Sequence, residues 1–583
     1  MATNKNTRDS VVLAAIVVAA VITVTANLLA DRKFGRIDLT SEGKYSVSSS
    51  FRNILNRLED PAILTYYTLT QVPPSFDSRK RDILDKLREI ETAAKGKVEL
   101  QIVDPTTDKE LRDRLQKEGF EHDYQEFNKD QLSISKIYSG IEITYQDRPK
   151  GKIPGIGDPE QLEYALGSQL VEMTIGKDKK PVIAIMAPTP PPQQPMMGQR
   201  PPGTGYEWIA AGQFEDGKKF DIKPVEITEG NNIPPETALL VLVRPKSLND
   251  RQRYEVAKYL ASGGKVLLLA SPFKIGRDFG WRAEKSPSGL EDYLRECGVT
   301  FNDNFVADKS NLEFQLVQMF TGQRTRVRLP FFVKIKAENI DQQSVLTRLM
   351  PGLVMPFPSE IKLDKELAAK NGLTASVLAK TSNQSWSVPY SDTFDPDKNG
   401  RYDDATQQTD GSKVIFVAME GQFPFPYEGK PAPAWTGGDK PEDKKDEKKD
   451  DKKADTAAIK KAPGRLLICS APDAFNSTYL MDQNLGRELQ SNIFLLANIT
   501  NTCGLGSDDL INLRVKQYET RGLSGLAGPE NDAKRRFTKW MLVGCMPILV
   551  AVVALVRMLY RRRTQVRYER QFAQTSGPSS FTP

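Results

Sequence analysis

Hydrophobic and polar residues alternate along most of the chain in patterns typical of helices and strands. Between residues 61 and 187, runs rich in β-forming residues alternate with segments whose apolar residues recur at helical spacing, such as those from Ile83 to Ile90. The alternation resumes in FDIKPVEI, TALLVLV, residues 250–261 and GGKVLLLASP. This pattern predicts an α/β fold of mainly parallel sheets with helices on both faces.

Two uncharged apolar runs, residues 11–30 and 540–556, lie near the ends of the chain. Each is long enough to cross a bilayer core of about 30 Å. Six arginines in residues 557–570 follow the second run, and such a basic flank predicts the cytoplasmic side. We therefore expect an N-terminal and a C-terminal transmembrane helix. The chain would lie in the bacterial inner (cell) membrane, with its bulk extracytoplasmic. A cleaved signal peptide is the alternative for the first run.

Changes in composition and periodicity predict the order of the domains. The expected segments are a cytoplasmic N-terminus (1–10), a transmembrane helix (11–30), a first α/β extracytoplasmic domain (31–180), a second α/β domain (181–310), a mixed β-rich region (311–430), a disordered insert (431–462), a return to the α/β body (463–533), a transmembrane helix (538–559) and a basic cytoplasmic tail (560–583).

The insert and the loop at 189–205 have the most biased compositions. GDKPEDKKDEKKDDKKADTAA is built from lysines and acidic residues, with apolar residues only at its end. Such a segment cannot bury enough surface to offset its ordering entropy, so we predict that it is disordered. A solvated helix with oppositely charged i,i+4 pairs is the alternative. TPPPQQPMMGQRPPGTG is rich in proline and glycine and predicts an exposed loop.

The overall charge and the cysteines exclude several classes of function. With 81 basic and 75 acidic residues, the formal charge is only +6, so we expect no nucleic-acid partner. Cys297, Cys469 and Cys503 are far apart and form no C-x-x-C pair, and Cys545 lies in the second apolar run. This spacing predicts buried free thiols, although one bridge involving Cys469 stays open as an alternative.

Sequence motifs for catalysis or cofactor binding are missing from the chain. His122 is the only histidine and lies in a polar stretch, which predicts a surface position. No G-x-x-x-x-G-K-[ST], G-x-S-x-G or H-E-x-x-H sequence occurs. Gly263 and Gly264 follow a predicted helix and precede a strand, which indicates a helix C-cap turn rather than a phosphate loop. We therefore predict no cofactor, no catalytic residue and no nucleotide binding.

One weak metal candidate lies in DPDKNGRYDDAT. Asp395, Asp397, Asn399 and Asp403 match oxygen-donor positions of a calcium loop. The position that requires a bidentate carboxylate is Thr406, and no clear helices flank the segment. An Asx-rich turn is therefore the favoured interpretation.

The residues after the first apolar run resemble a known family. RIDLTSEGKYSVSSSFRNILNRLEDPAILTYY is similar to the start of the GldG-like family, the auxiliary component of an uncharacterised bacterial ABC-type transport system, with its D-L-T-x-x-x-x-Y-S-[LV]-S run. VELQIVDP, LRECGVTFNDNFVAD, LAKTSNQSWS and DDLINLRVK match further along the chain. The lysine-rich insert and the proline-rich loop look like additions.

The resemblance implies a non-enzymatic, membrane-anchored accessory subunit whose large extracytoplasmic domain contacts separate ABC permease and ATPase subunits. It offers no catalytic residues, and it implies a link to the motility machinery in gliding bacteria. The α/β core is similar to amidotransferase-like folds by analogy only. A structural envelope tether is one alternative function. A membrane-anchored hydrolase with paired carboxylates is another, although no pair is singled out by its context.

Overall fold

A computed structural model describes most of the central chain. The described residues are 46–128, 131–175, 180–189, 203–214, 219–276, 282–317, 324–348, 350–391, 408–435, 460–480 and 486–518, with short pieces between 536 and 567. Residues 1–517 form one compact unit and residues 518–583 a second. Of the second unit, the structure describes short helical pieces, including residues 555–559 and 561–564.

The described helices and strands follow one another in mixed order. The α-helices are α1 (Ser49–Asn56), α2 (Pro74–Ala93), α3 (Lys109–Lys117), α4 (Leu162–Thr174), α5 (Glu207–Ala210), α6 (Asp250–Ala261), α7 (Glu291–Glu296), α8 (Lys365–Lys370), α9 (Ser477–Leu480), α10 (Gly486–Leu505) and α11 (Asp509–Tyr518). The first strands are β1 (Ala62–Thr68), β2 (Val98–Val103), β3 (Glu121–Asn128), β4 (Gln131–Thr144), β5 (Gly151–Ile153), β6 (Val182–Met186), β7 (Asp221–Pro224), β8 (Thr237–Val243), β9 (Lys265–Leu269), β10 (Phe273–Gly276) and β11 (Arg282–Lys285). The later strands are β12 (Val299–Phe301), β13 (Asn304–Asp308), β14 (Asn311–Val317), β15 (Arg324–Lys336), β16 (Gly352–Pro356), β17 (Ile361–Leu363), β18 (Leu373–Lys380), β19 (Ser385–Pro389), β20 (Val414–Gly421) and β21 (Gly464–Cys469).

The N-terminal part, residues 46–175, is built on a five-stranded mixed sheet. Its strand order is β2-β1-β4-β3, and β5 also pairs with β4. The β1–β2 pair is parallel, whereas β4 is antiparallel to β1, β3 and β5. Helices α1, α2 and α4 bury apolar residues against one face, where Phe51, Ile83 and Leu166 are fully enclosed. The burial of this apolar face is the main stabilising contribution of the N-terminal part.

The main part, residues 180–505, contains a seven-stranded sheet in the order β18-β20-β21-β9-β8-β6-β7. The five strands from β21 to β7 are parallel, and β20 and β18 extend the sheet in antiparallel fashion. Alternate residues of β8 are buried on opposite faces: Val241 lies in the cluster that includes α10, and Leu242 in the cluster that includes α6. Burial on both faces explains the continuous apolar sequence TALLVLV.

The predicted fold class of mainly parallel sheets flanked by transmembrane helices is wrong. Antiparallel pairs make up most of the N-terminal sheet and the small sheets β10–β11, β12–β17, β13–β19 and β14–β15–β16. The periodicity of apolar residues in a strand predicts burial, but it does not predict the direction of the partner strand. Strands β3 and β4, for example, are joined by only two residues, and such a short connection permits only an antiparallel hairpin.

The expected transmembrane helices also lack support. Among the described residues, no helix has the length and apolar character needed to cross a membrane. The predicted run 11–30 and residues 540–554 lie outside the described residues.

Candidate functional site

The order of the parallel strands in the main sheet defines a place where ligands commonly bind. Read from one edge, the parallel strands follow the order β7-β6-β8-β9-β21, so the chain changes direction across the sheet at β6 and β8. In open α/β sheets, ligands bind beyond the carboxyl ends of the strands at such a switch point. The residues after β6, β8, β9 and β21 therefore form the candidate site.

Arg244 is the first residue after β8 and occupies this edge. Its backbone has a φ of 43°, in the left-handed region that is uncommon for a residue with a Cβ, and its N–H donates to Leu269 O over 2.8 Å. The guanidinium is buried and donates through Nη2 to Asp473 Oδ2 over 2.7 Å. Nε donates to the Tyr206 hydroxyl over 2.9 Å, and Nη1 to the Phe273 carbonyl over 3.0 Å. Each guanidinium nitrogen therefore has a partner.

Asp473 and Tyr206 complete this group, which we call the Arg244 cluster. Asp473 lies in the 3₁₀ turn Pro472–Phe475 that follows β21, and its Oδ1 accepts a hydrogen bond from Tyr206 Oη over 2.9 Å. Burial raises the pKa of Tyr206 well above its ordinary value, and the neighbouring Asp473 adds to this effect while Arg244 opposes it. Burial alone would lower the pKa of Arg244, but the neighbouring Asp473 and Tyr206 have the larger effect and raise the pKa of Arg244. The cluster thus holds one ion pair and one neutral phenol.

The segment that precedes α5 is fixed to the same edge. Glu207 accepts hydrogen bonds from the Gly205 N–H over 2.9 Å and from the Thr204 hydroxyl over 2.9 Å. The Trp208 indole N–H donates to the Phe475 carbonyl over 2.8 Å. Gly205 has a φ of 84°, which strains residues with a Cβ, and a Cβ there would lie 2.0 Å from Asn476 Oδ1, so that a substitution would also displace the Asn476 side chain.

Three buried serines close the neighbouring end of the edge, beyond β9 and β21. Ser271 and Ser359 share a hydrogen bond of 3.0 Å, and Ser470 Oγ donates to the Ser359 carbonyl over 2.5 Å. All three hydroxyls therefore have partners within the protein. None of them has a histidine or lysine partner in these hydrogen bonds that would activate a nucleophile.

The described part of this edge is thus filled by side chains that satisfy one another. Within the described ranges, no group of three or more histidine, cysteine, aspartate or glutamate residues could hold a metal ion. The arrangement holds the described residues that follow β6, β8 and β21 in fixed positions relative to each other.

The structure places the residues singled out by the sequence as follows. Gly263 has a φ of 92°, and the Gly264 N–H donates to the Tyr259 carbonyl over 2.9 Å, so the predicted helix C-cap turn is confirmed. Lys265 begins β9 and donates to the Cys503 carbonyl at the end of α10. His122 is half-buried, with its Nε2 2.9 Å from the Pro154 carbonyl oxygen.

The predicted free thiols are confirmed for the described cysteines, since Cys297, Cys469 and Cys503 are buried and free. The calcium candidates Asp395, Asp397, Asn399 and Asp403, and the charged insert at 436–459, lie outside the described residues. The predictions about them, and the predicted domain boundaries, stay predictions.

Sequence reasoning missed the Arg244 cluster. A usable signal exists for Arg244, because a charged residue directly follows the apolar run ALLVLV. Asp473 likewise follows RLLIC within four residues. Nothing in the sequence links these two residues, which are 229 positions apart.

The first block of the family resemblance has a clear structural setting. The Val47 N–H donates to Glu89 Oε1 over 2.8 Å, and the Ser48 N–H donates to Glu163 Oε2 over 3.2 Å. Lys86 pairs with Glu163 over 2.9 Å and with Glu89 over 3.6 Å. Ser48 also caps α1, because its side chain accepts from the Phe51 N–H. This block therefore fastens the start of the described chain to α2 and α4.

The fold and its filled sheet edge define a mixed α/β protein whose buried charges serve to hold its parts together. Residues 180–501, more than half of the chain, match the family described as ABC-type uncharacterized transport system. The chain belongs to this family and is an auxiliary component of an ABC-type transport system, which confirms the resemblance seen in the sequence. Residues 41–144 match a domain of unknown function, DUF7088.

One sequence relative and two solved structures are similar to this chain at low sequence identity. An uncharacterized protein of Borreliella burgdorferi is 21% identical over 394 residues, covering 67% of this chain and 74% of the relative. A ThuA-like protein from Bacteroides uniformis aligns at 10% identity over 57% of this chain and 96% of that one, with a TM-score of 0.28. A β-galactosidase from Halorubrum lacusprofundi aligns at 11% identity over 57% of this chain and 34% of that one, with a TM-score of 0.19. Structural likeness at this level carries no argument about fold or function.

Proposed function

We propose that the chain is a non-enzymatic accessory subunit that works by contacting the permease and ATPase subunits of its transport system. The observation that carries this proposal is the filled carboxyl edge of the main sheet in a member of an ABC-type transport family. Within the described residues, this edge is occupied by an ion pair and a neutral phenol that bind one another, which leaves them unavailable as catalytic groups. The ATP-driven step is then supplied by another subunit that carries the phosphate loop.

The GldG-like role and the membrane location predicted from the sequence belong to the same proposal. The GldG-like role implies a system at the bacterial inner membrane, with the bulk of this chain outside the cytoplasm. The family supports this location, because a permease lies in a membrane.

Cysteine labelling in intact cells tests the location. Since the described native thiols are buried, a cysteine introduced at the exposed Lys370 reports with little background. Labelling only after the inner membrane is broken contradicts the location.

Co-purification tests the function. The full chain, tagged and extracted in mild detergent, should bring down a subunit carrying a G-x-x-x-x-G-K-[ST] sequence together with a polytopic membrane protein. The tag alone, expressed in the same membranes, is the control. Recovery of envelope components without such an ATPase would favour the tether over the accessory subunit.

A second measurement addresses catalysis directly. The purified full chain should show no magnesium-dependent ATP hydrolysis, because Lys265 is engaged by the Cys503 carbonyl at the start of a strand. The Lys265→Ala variant should be equally inactive. Hydrolysis by the wild-type chain that this variant abolishes would show that the glycine pair is a phosphate site.

A further inference from the structure

Helix α11 carries most of DDLINLRVK, the last block of the family resemblance, and contacts the two parts of the first unit. The chain leaves α10 and reaches α11 through a short turn in which Gly506 has a φ of 64°. The N-terminal part and the main part are also joined by the chain between residues 175 and 180. The short turn ties α11 closely to α10, and side chains of α11 contact both parts.

Asp509, the first residue of α11, fastens the helix to α1 and the residue after it. Its Oδ2 accepts from Arg57 Nη2 over 2.7 Å, and its Oδ1 accepts from Asn53 Nδ2 over 3.1 Å. Ser507 Oγ also donates to Oδ2 over 2.8 Å. The carboxylate is largely enclosed, with 11% of the side chain exposed, whereas Arg57 is 55% exposed. An enclosed carboxylate with three donors is a stronger contact than an exposed ion pair.

Arg514, one and a half turns further on, connects the two parts through a single side chain. Its Nη2 donates to the Tyr164 hydroxyl on α4 of the N-terminal part. Its Nη1 donates to Asn498 Oδ1 on α10 of the main part over 3.2 Å. The guanidinium carbon also lies 4.9 Å from the centre of the Tyr164 ring and 5.8 Å from that of Phe494. A planar guanidinium suits this combination of hydrogen bonding and ring contact better than an ammonium group does.

Apolar packing places α11 closer to the N-terminal part. Leu510 and Leu513 are buried in the cluster formed by α1, α2 and α4, and Leu505 packs against both this cluster and one from the main part. A Cβ at Gly167 of α4 would lie 2.7 Å from Leu513 Cδ1, so the glycine allows the close approach of the two helices. The apolar packing explains the attachment of α11 to the N-terminal part, and Arg514 supplies a link to the main part.

We propose that α11 is a joint that sets the orientation of the N-terminal part on the main part, with Asp509 and Arg514 as positioning residues. Releasing these two side chains frees the N-terminal part to turn relative to the main part, while each part keeps its own fold. The proposal does not depend on the transport role, because it concerns contacts within the chain.

Spin-label distance measurements on the full chain test the joint. Labels at the exposed positions Arg79→Cys and Lys370→Cys, with Cys545→Ser, report the distance between the two parts. The wild-type background should give one narrow distance distribution. The double variant Arg514→Ala/Asp509→Ala should give a broadened and shifted distribution, because both polar links are removed.

Two label pairs within single parts separate joint release from unfolding. The pair Arg79 and Lys109 lies in the N-terminal part, and the pair Lys246 and Lys370 in the main part; all four positions are exposed. Both distributions should stay narrow in the double variant. The matched control is Arg295→Ala, which breaks an exposed ion pair inside the main part and should leave the inter-part distance unchanged.

The milder variant Tyr164→Phe keeps the proposal testable if the double variant unfolds. It retains the ring beneath Arg514 and removes only the hydroxyl, so a smaller broadening of the inter-part distance is expected. An inter-part distribution that stays narrow in both variants, or one that is already broad in the wild-type chain, would overturn the proposal.

Discussion

Removing the carboxylate of the Arg244 cluster offers the sharpest test of how the main part is held together. In Asp473→Ala, the Arg244 guanidinium loses its buried counter-charge, and the Tyr206 hydroxyl loses its acceptor. The side chains of Arg244 and Asp473 are only 10% and 9% exposed, so water cannot readily replace the missing partner. An unpaired buried charge is among the few changes that strongly destabilise a folded protein.

The expected loss follows from the burial of the pair. Breaking a buried ion pair by removing one partner costs about 3–5 kcal/mol of unfolding free energy. Replacing both partners by apolar residues, as in Arg244→Met/Asp473→Leu, leaves no uncompensated charge and should cost less than Asp473→Ala alone. The control is Asp292→Ala, which breaks an ion pair with Arg295 in which both side chains are more than half exposed; it should cost about 0–1 kcal/mol.

Urea unfolding of the full chain, followed by tryptophan fluorescence, measures these differences. Trp208 reports directly on the site, because its indole donates to the Phe475 carbonyl beside Asp473. If Asp473→Ala and Asp292→Ala destabilise the protein equally, the Arg244 cluster is not the constraint inferred here. A double variant less stable than Asp473→Ala would also refute the argument, because it would show that the packing of Arg244 matters more than its charge.

Two further predictions concern the thiols and one glycine. Burial raises the pKa of Cys297 and Cys469 to about 12, so these thiols should stay unreactive toward a disulfide reagent at pH 8 and react after unfolding in urea. Because the folded state favours the neutral thiols, this contribution to the free energy of unfolding is fully present below the ordinary thiol pKa of 9.0 and should be lost as the pH rises toward 12. Rapid labelling of the folded chain at pH 8 would contradict the expected lack of reactivity. Gly140→Ala should lower the thermal midpoint strongly, because the new Cβ on strand β4 would lie 2.5 Å from the backbone carbonyl oxygen of Pro154. Gly157→Ala, with open space around its Cβ position, should change the thermal midpoint little.

The elements with strong periodicity were predictable from the sequence. The strand AILTYYT corresponds to β1, and the apolar positions from Ile83 to Ile90 mark the buried face of α2. The glycine pair after α6 was predictable because a helix C-cap needs a residue with positive φ. In each case the information lies within a few residues, so a local pattern is sufficient.

Strand partners and the candidate site were not predictable in the same way. Strand β3 has the polar sequence EHDYQEFN, and it forms because it pairs with β4 along its whole length rather than because it buries an apolar face. The pairing of β21 between β9 and β20 joins segments separated by more than 40 residues on either side. The Arg244 cluster likewise depends on these long-range pairings, which bring the ends of β8 and β21 to one edge.

The chemistry of that edge bears on the division of labour within the transport system. An arginine at a sheet switch point is well suited to bind a phosphate, because its fork of donors matches two oxygens. In this chain, Nη2 of Arg244 already donates to Asp473, Nε to Tyr206 and Nη1 to a backbone carbonyl. A phosphate would have to displace the buried carboxylate and leave it facing a second anion, which strongly opposes binding. The described residues at this edge therefore oppose a phosphate ligand at Arg244, which agrees with the proposal that another subunit binds the nucleotide.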